Sequence, residues 1–259
     1  DRGTGLTGGR KMNVISYVKR EDILFHRVSE GYCRGEMLPG AMEGIFTNKC
    51  RIEAGARVWP ACYADRVTAL FIFKGTGRIR SGSQVFEITE RCLFCPDFDH
   101  EEYSIEADTE MEYLELSQRM SEEDWKHHEM YHIVLPWFHT HSNWHLYIEG
   151  FRASELKSYA VLHQYYVSRM SLGEVTGPGE ARLEPHTHPE LYQWFYGLPG
   201  TDPFLFKAQD EEVEVREGDW ICIPNEVAHI VSPMKSGDYI DYVWFEVVVP
   251  GKEMCPYFY

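Results

Sequence analysis

The stretch His186-Thr-His188, with Gln193 five residues on and His229 reached after Gly218-x5-Pro224, constrains this 259-residue chain more than any other feature. Side chains two apart on a strand share a face, so the His186 and His188 imidazoles can converge on one ion. The fold must then bring Gln193 and His229 to the same place. Three neutral imidazoles and a carboxamide oxygen suit one divalent first-row transition metal (Mn, Fe, Co, Ni or Zn), with positions left for water or substrate. A lone histidine is far more often a satisfied core residue, but four donors at these spacings point to a metal site.

The rest of the chain reads as β structure. Short β-rich runs separated by Gly, Ser and Asp turns fill both halves. They fall at 69–74, 78–81, 85–88, 91–96, 102–107 and 111–117, then at 159–172, 182–188, 192–197, 204–208, 213–216, 220–224, 228–232 and 239–249. This rhythm predicts two similar β domains. Ser121-Glu-Glu-Asp124 is a capping box opening a short helix over 125–132, followed by an aromatic, histidine-rich connection. The expected division is a first β domain over 13–120, a connection over 121–145 and a second β domain over 146–259. Residues 1–12, rich in Gly and Thr ahead of Met12, read as a vector-derived leader.

Composition narrows the partners. With 41 acidic against 25 basic side chains the formal charge is -16, which repels a nucleic-acid backbone and an anionic membrane surface alike. No apolar run approaches the roughly 20 residues needed to span a bilayer. The seven cysteines are odd in number and irregularly spaced, and Cys92 and Cys95 should point to opposite faces of one strand. Reduced thiols in a cytoplasmic protein are the expectation. The aromatic tail 256–259 has two equal readings, covering a neighbour or an open sheet edge, which would suit a homodimer, or packing back across its own barrel.

The two histidine-bearing stretches resemble the paired motifs of the cupin superfamily. The first motif, His-x-His-x4-Glu-x6-Gly, is matched position for position from His186 to Gly200, with Gln193 in place of Glu. The second, Gly-x5-Pro-x-Gly-x2-His, is matched from Gly218 to His229, with Glu226 in place of its second glycine. The resemblance covers about 159–250 and implies an all-β fold of two tandem jelly-roll barrels, the metal lying inside the second. Aligned on Gly75, the metal positions of the first half fall on Ala61, Tyr63 and Thr68, and only His100 is similar to the second motif. The first barrel is therefore expected to be structural. The His-His-Gln-His set is similar to that of uronate-processing cupins and of cupin hydroxynitrile lyases.

A glutamine in place of glutamate removes one negative charge from the ion's surroundings, leaving more positive field for a substrate oxygen. The leading expectation is a metal-dependent isomerase of a sugar or sugar acid, aldose–ketose or keto-uronate in type, acting through a stabilised enediolate. Candidate acid–base residues are Glu184, which would share the metal-facing side of a regular strand with His186, Glu190 with Tyr192 beside it, and Tyr242 and Glu246 on the last strand. Trp244, on the same face of that strand, joins Lys207, Arg169 and His163 as a substrate-binding candidate. For each carboxylate a solvated surface group is the competing reading. The second histidine group, His139, His141 and His145 with His127, His128 and His132 upstream, reads mainly as packing at the junction, with Trp137 and Trp144 as walls for a sugar face. The rival functions are an Fe-dependent cupin dioxygenase, which favours an apolar chamber, and a non-catalytic sugar-binding module.

Overall fold

A computed structural model describes residues 13–98, 100–131, 134–148, 155–179 and 185–252. The expected leader and the aromatic tail lie outside the described residues. The all-β reading holds, and the strands build two barrels. The first joins a seven-stranded sheet, ordered Trp137–Thr140, Cys92–Cys95, Arg66–Lys74, Met111–Arg119, Ile45–Ile52, Tyr32–Glu36 and Phe25–Ser29, to a four-stranded sheet of Arg57–Val58, Tyr103–Ala107, Gly77–Ser81 and Gln84–Ile88. The second joins Ser16–Val18, Trp220–Ile223, Leu191–Gly197, Tyr239–Val248, Met170–Pro178, Lys157–Leu162 and His145–Tyr147 to a three-stranded sheet of Glu211–Val215, Phe204–Ala208 and His229–Pro233. Neighbouring strands in these sheets run antiparallel.

Alternation along each strand separates an inner face from an outer one. Inside the first barrel pack Cys50, Ile52, Leu70, Ile72, Tyr113 and their neighbours. Inside the second pack Val175, Phe195, Phe206, Ile221, Val231 and Tyr242. The outer faces of the two large sheets meet in a third core, where Phe71, Phe73 and Leu114 face Trp194, Tyr196 and Phe245. Each such fully buried side chain contributes roughly 1.5–3 kcal/mol. Long strands with both faces buried are the reason the runs 69–74 and 239–249 read as nearly continuous apolar sequence.

Polar clusters flank this shared core. Lys49 Nζ lies 2.9 Å from Glu112. Burial alone would raise the Glu112 carboxyl, but Lys49 and Lys74 outweigh it and hold it at about 2. Elsewhere on the junction Arg91 of the first barrel reaches Glu174 at 2.9 Å and Asp241 at 2.7 Å in the second. There desolvation wins, and Glu174 is pushed up to about 7 despite the arginine.

Two short strands cross between the barrels. Ser16–Val18 pairs with Trp220–Ile223 at the edge of the second barrel's sheet, and Trp137–Thr140 pairs with Cys92–Cys95 at the edge of the first. Asp219 fastens the first exchange, accepting from the Tyr17 hydroxyl at 2.8 Å and the Arg20 amide at 2.9 Å. The capping box holds: the Asp124 amide donates to Ser121 Oγ at 3.1 Å, and Ser121 donates back to the Asp124 carboxylate at 2.8 Å. It opens the helix Glu122–Tyr131, three residues earlier than the apolar pattern indicated. No described helix is long and apolar enough to cross a membrane.

Several elements were not legible beforehand. Phe25–Ser29, Tyr32–Glu36 and Ile45–Ile52 break the two-residue alternation with interruptions such as His26-Arg27, Arg34-Gly35 and Thr47-Asn48-Lys49, which masks their period. The run expected over 159–172 is two strands, Lys157–Leu162 and Met170–Pro178, because Tyr165 takes a left-handed backbone (φ 65°) with no glycine to announce the turn.

Candidate metal centre

His186 does not sit on a regular strand. It forms an isolated antiparallel bridge with His229, each amide donating to the other's carbonyl at 3.1 and 3.0 Å. Pro189 follows His188 immediately and has no N–H to continue a ladder, so the segment leaves the sheet there. His188 is held by its carbonyl, which accepts from the Glu226 amide at 3.1 Å. Glu226 stands where the motif has glycine and takes a positive φ of 67°, the conformation a glycine would adopt without strain.

The three histidines nonetheless converge. Their ligand atoms lie within 4.8 Å of one another, and their ring centroids are 4.5 to 5.8 Å apart. Two nitrogens bound to one ion at ~2.1 Å lie at most ~4.2 Å apart, so the three rings would draw in slightly to close on one ion. His229 is buried, and its Nδ1 lies 3.1 Å from the Val227 carbonyl. A carbonyl only accepts, so Nδ1 carries the proton and Nε2 keeps the lone pair a metal requires. Phe206 stacks on His229 at 5.8 Å and Phe195 lies 5.7 Å away, giving the imidazole an apolar seat. Among the described residues this is the one group of three or more His, Cys, Asp or Glu arranged to hold an ion.

Gln193 belongs to the inner face of Leu191–Gly197, two residues from Phe195, and is buried. Its side-chain amide donates to Glu246 at 2.7 Å across the sheet. Glu246 is buried on the inner face of Tyr239–Val248 and also accepts from Ser171 Oγ at 3.3 Å. Gln193 and Glu246, expected from sequence as separate ligand and acid–base candidates, are therefore one hydrogen-bonded unit.

The other candidates scatter. Glu184 lies outside the described residues. Glu190 is buried in the turn after His188, where its carbonyl accepts from Val249, and Tyr192 is half-buried nearby. Tyr242 is enclosed between Phe195 and Phe204. Trp244 lies over Gly173 so closely that a Cβ there would sit 2.0 Å from the indole. Arg169 is not free to meet a ligand: it grips Asp124 of the helix at 2.8 and 3.1 Å and donates to the Val248 carbonyl. Lys207 alternates with the inward Phe206 and Ala208 and pairs outside with Glu212 at 2.8 Å. His163 packs on Tyr166 and near His145. His139 stacks on Trp137, and His141 meets Trp144 edge-on and Tyr159 at a tilt, as junction packing, while His132 lies outside the described residues.

No family model and no curated protein matches the sequence. Solved structures do. A putative glyoxylate-induced protein from Pseudomonas aeruginosa superposes with a TM-score of 0.73 at 12% identity, covering 98% of this chain and 96% of its own. Oxalate decarboxylase from Lactobacillus farciminis, in a formate complex, gives 0.68 at 15% identity over 93% and 87%. A cupin 2 conserved barrel domain protein from Leptotrichia buccalis gives 0.58 at 12% over 92% and 99%. The chain has the cupin fold. Within that tandem cupin architecture the histidine cluster and Gln193 belong to the second barrel, and the cupin fold by itself leaves the reaction open.

Proposed function

We propose that this cupin is a metal-dependent isomerase of a sugar or sugar acid, shifting a proton between adjacent carbons through an enediolate. The observation that carries the reading is a cluster of three imidazoles in the same barrel as a buried Gln193–Glu246 pair: neutral imidazoles and a carboxamide add no negative charge, and Glu246 is hydrogen-bonded to Gln193. The residues fit a divalent first-row ion, which would supply Lewis acidity toward a substrate oxygen. Glu246, which accepts from Gln193 at 2.7 Å and from Ser171 Oγ at 3.3 Å, is the carboxylate that would carry the proton. Phe195 and Phe206 exclude water on the His229 side, and Trp244 shares the inner strand face of Glu246.

Incubating metal-loaded protein with ketoses, aldoses and uronates in deuterated water tests this directly. Deuterium uptake next to the carbonyl, lost on chelation and in Glu246→Gln, is the expected NMR result. The aromatic seat of His229 favours one rival, an Fe-dependent dioxygenase, and oxygen uptake without deuterium exchange would put that reading first.

A further inference from the structure

We infer that Glu246 is a positioning residue that fixes which end of the Gln193 carboxamide meets the metal. The inference rests on the metal-centre reading above and adds a role for a residue outside the ligand set. A carboxamide offers an acceptor at one end and donors at the other, and only the oxygen serves a metal. Nothing in Gln193 itself chooses between the two orientations, which are nearly equal in shape. Gln193 Nε2 donates to Glu246 Oε1 at 2.7 Å, so the carbonyl oxygen is turned the other way. Both side chains are buried, at 3% and 8% exposure, where reversing the amide would set two acceptors against each other without water.

The first barrel supports the idea that this is a built pair. Gln193 and Glu246 are register partners on adjacent strands, and so are Thr68 and Ser117. Thr68 is the residue aligned with Gln193. Thr68 and Ser117 are also hydrogen-bonded, at 3.0 Å, between hydroxyls that offer no carboxylate and no amide. The register brings the two positions together in either barrel, and only in the second does the pair carry the chemistry of a ligand and its orienter. The motif's glutamate at the ligand position has, in effect, been exchanged for an amide with the carboxylate one strand away.

The exchange makes a reciprocal test. Mn2+, Co2+ and Zn2+ affinities are measured by chelator competition for the full chain and for Glu246→Gln, Gln193→Glu and the double variant Gln193→Glu/Glu246→Gln, with circular dichroism to verify folding. Glu246→Gln keeps an acceptor but can pair with Gln193 in either orientation, so it is expected to weaken binding toward the lower end of the 10- to 100-fold range seen when a ligand's hydrogen-bond partner is disturbed. Gln193→Glu alone sets two carboxylates face to face, and the double variant restores a carboxylate ligand with an amide donor behind it. The double variant therefore binds more tightly than either single variant. In the unmodified protein the Gln193 side-chain 15NH2 resonances, assigned by through-bond correlation to the Gln193 backbone, stay slow to exchange when Zn2+ is added, a readout that does not depend on the variants folding. Unchanged affinity in Glu246→Gln, a double variant no better than the singles, or fast-exchanging Gln193 amide protons would overturn the role of Glu246 while leaving the metal centre in place. Absence of ion binding by the unmodified protein would overturn both.

Discussion

The interiors of the two barrels answer the same problem in opposite ways. At the ligand-bearing end of the second, three imidazoles crowd within 4.8 Å of one another around a place suited to an ion. In the first, the aligned positions are Ala61, Tyr63 and Thr68, and the charge comes from the chain itself. Arg66 lies over the Phe46 ring at 3.7 Å and near Tyr63 at 4.5 Å, and Arg34 meets Glu115 at 2.5 Å with Asn48 donating to the same oxygen. One barrel carries its cations as arginines, Arg66 on aromatic faces and Arg34 on Glu115, and among its described residues there is no cluster of metal donors. The other presents lone pairs and needs its cation from outside. His100, the residue most similar to the second motif in the first half, is exposed and pairs with Asp97 at 2.9 Å.

The largest expected effect breaks the second barrel alone. His229→Ala removes a buried ligand whose tautomer is already set by Val227, so elemental analysis should find no bound first-row metal, and turnover of the isomerase substrate should be lost. Retained stoichiometric metal would move the centre elsewhere. The corresponding break in the first barrel is Arg34→Met, which leaves Glu115 buried without its cation. Removing one partner of such a pair costs on the order of 3–5 kcal/mol, and the lower end applies because Arg34 is 24% exposed. Metal affinity should be unchanged; a parallel loss would show that the barrels are not independent in this respect.

The junction between the barrels holds a second contrast, in pH. Glu112 is held at about 2 against an ordinary 4.5, so its stabilisation is complete above pH 4.5 and fades as pH falls toward 2. Glu174 is raised from 4.5 to about 7, so its contribution is complete below pH 4.5 and is lost as pH rises through 7. At about 1.4 kcal/mol per pH unit each amounts to roughly 3 kcal/mol. Denaturant unfolding at pH 5 and pH 8 should show Glu174→Gln losing less stability with rising pH than the unmodified protein. An identical pH slope in the two would sink this reading of the Arg91 cluster.

How much of this was legible in sequence follows from where the information sits. The histidine cluster was readable because a metal demands particular donors at particular spacings, and the motif around His186, His188 and His229 carries those in local sequence. The strands buried on both faces were readable for the same local reason. The bridge that replaces a strand at His186, the left-handed turn at Tyr165 and the exchange of Ser16–Val18 were not, since each depends on partners far along the chain. Arg169 and Lys207 looked like ligand contacts because a basic residue near a site invites that role. Whether it faces inward or is held by Asp124 is decided by tertiary packing. The Gln193–Glu246 bond spans 53 residues and is a property of register, which no local pattern encodes.

The smallest expected effect sharpens the comparison at matched positions. Thr68→Val keeps the shape of the side chain and removes the hydroxyl that meets Ser117 at 3.0 Å in a buried setting. A neutral buried hydrogen bond contributes about 1 kcal/mol, and the stranded Ser117 hydroxyl adds a cost of the same order. Thermal unfolding should therefore register a modest loss of stability. Metal affinity should stay the same, because nothing in this pair orients a donor. At the matching site Gln193→Leu, also close in volume, should weaken metal binding in addition to its stability cost, since it deletes the oxygen that Glu246 turns toward the histidines. If Thr68→Val instead shifted metal affinity as Gln193→Leu does, the first barrel would be part of the site, and the division between a self-sufficient barrel and a metal-requiring one would have to be abandoned.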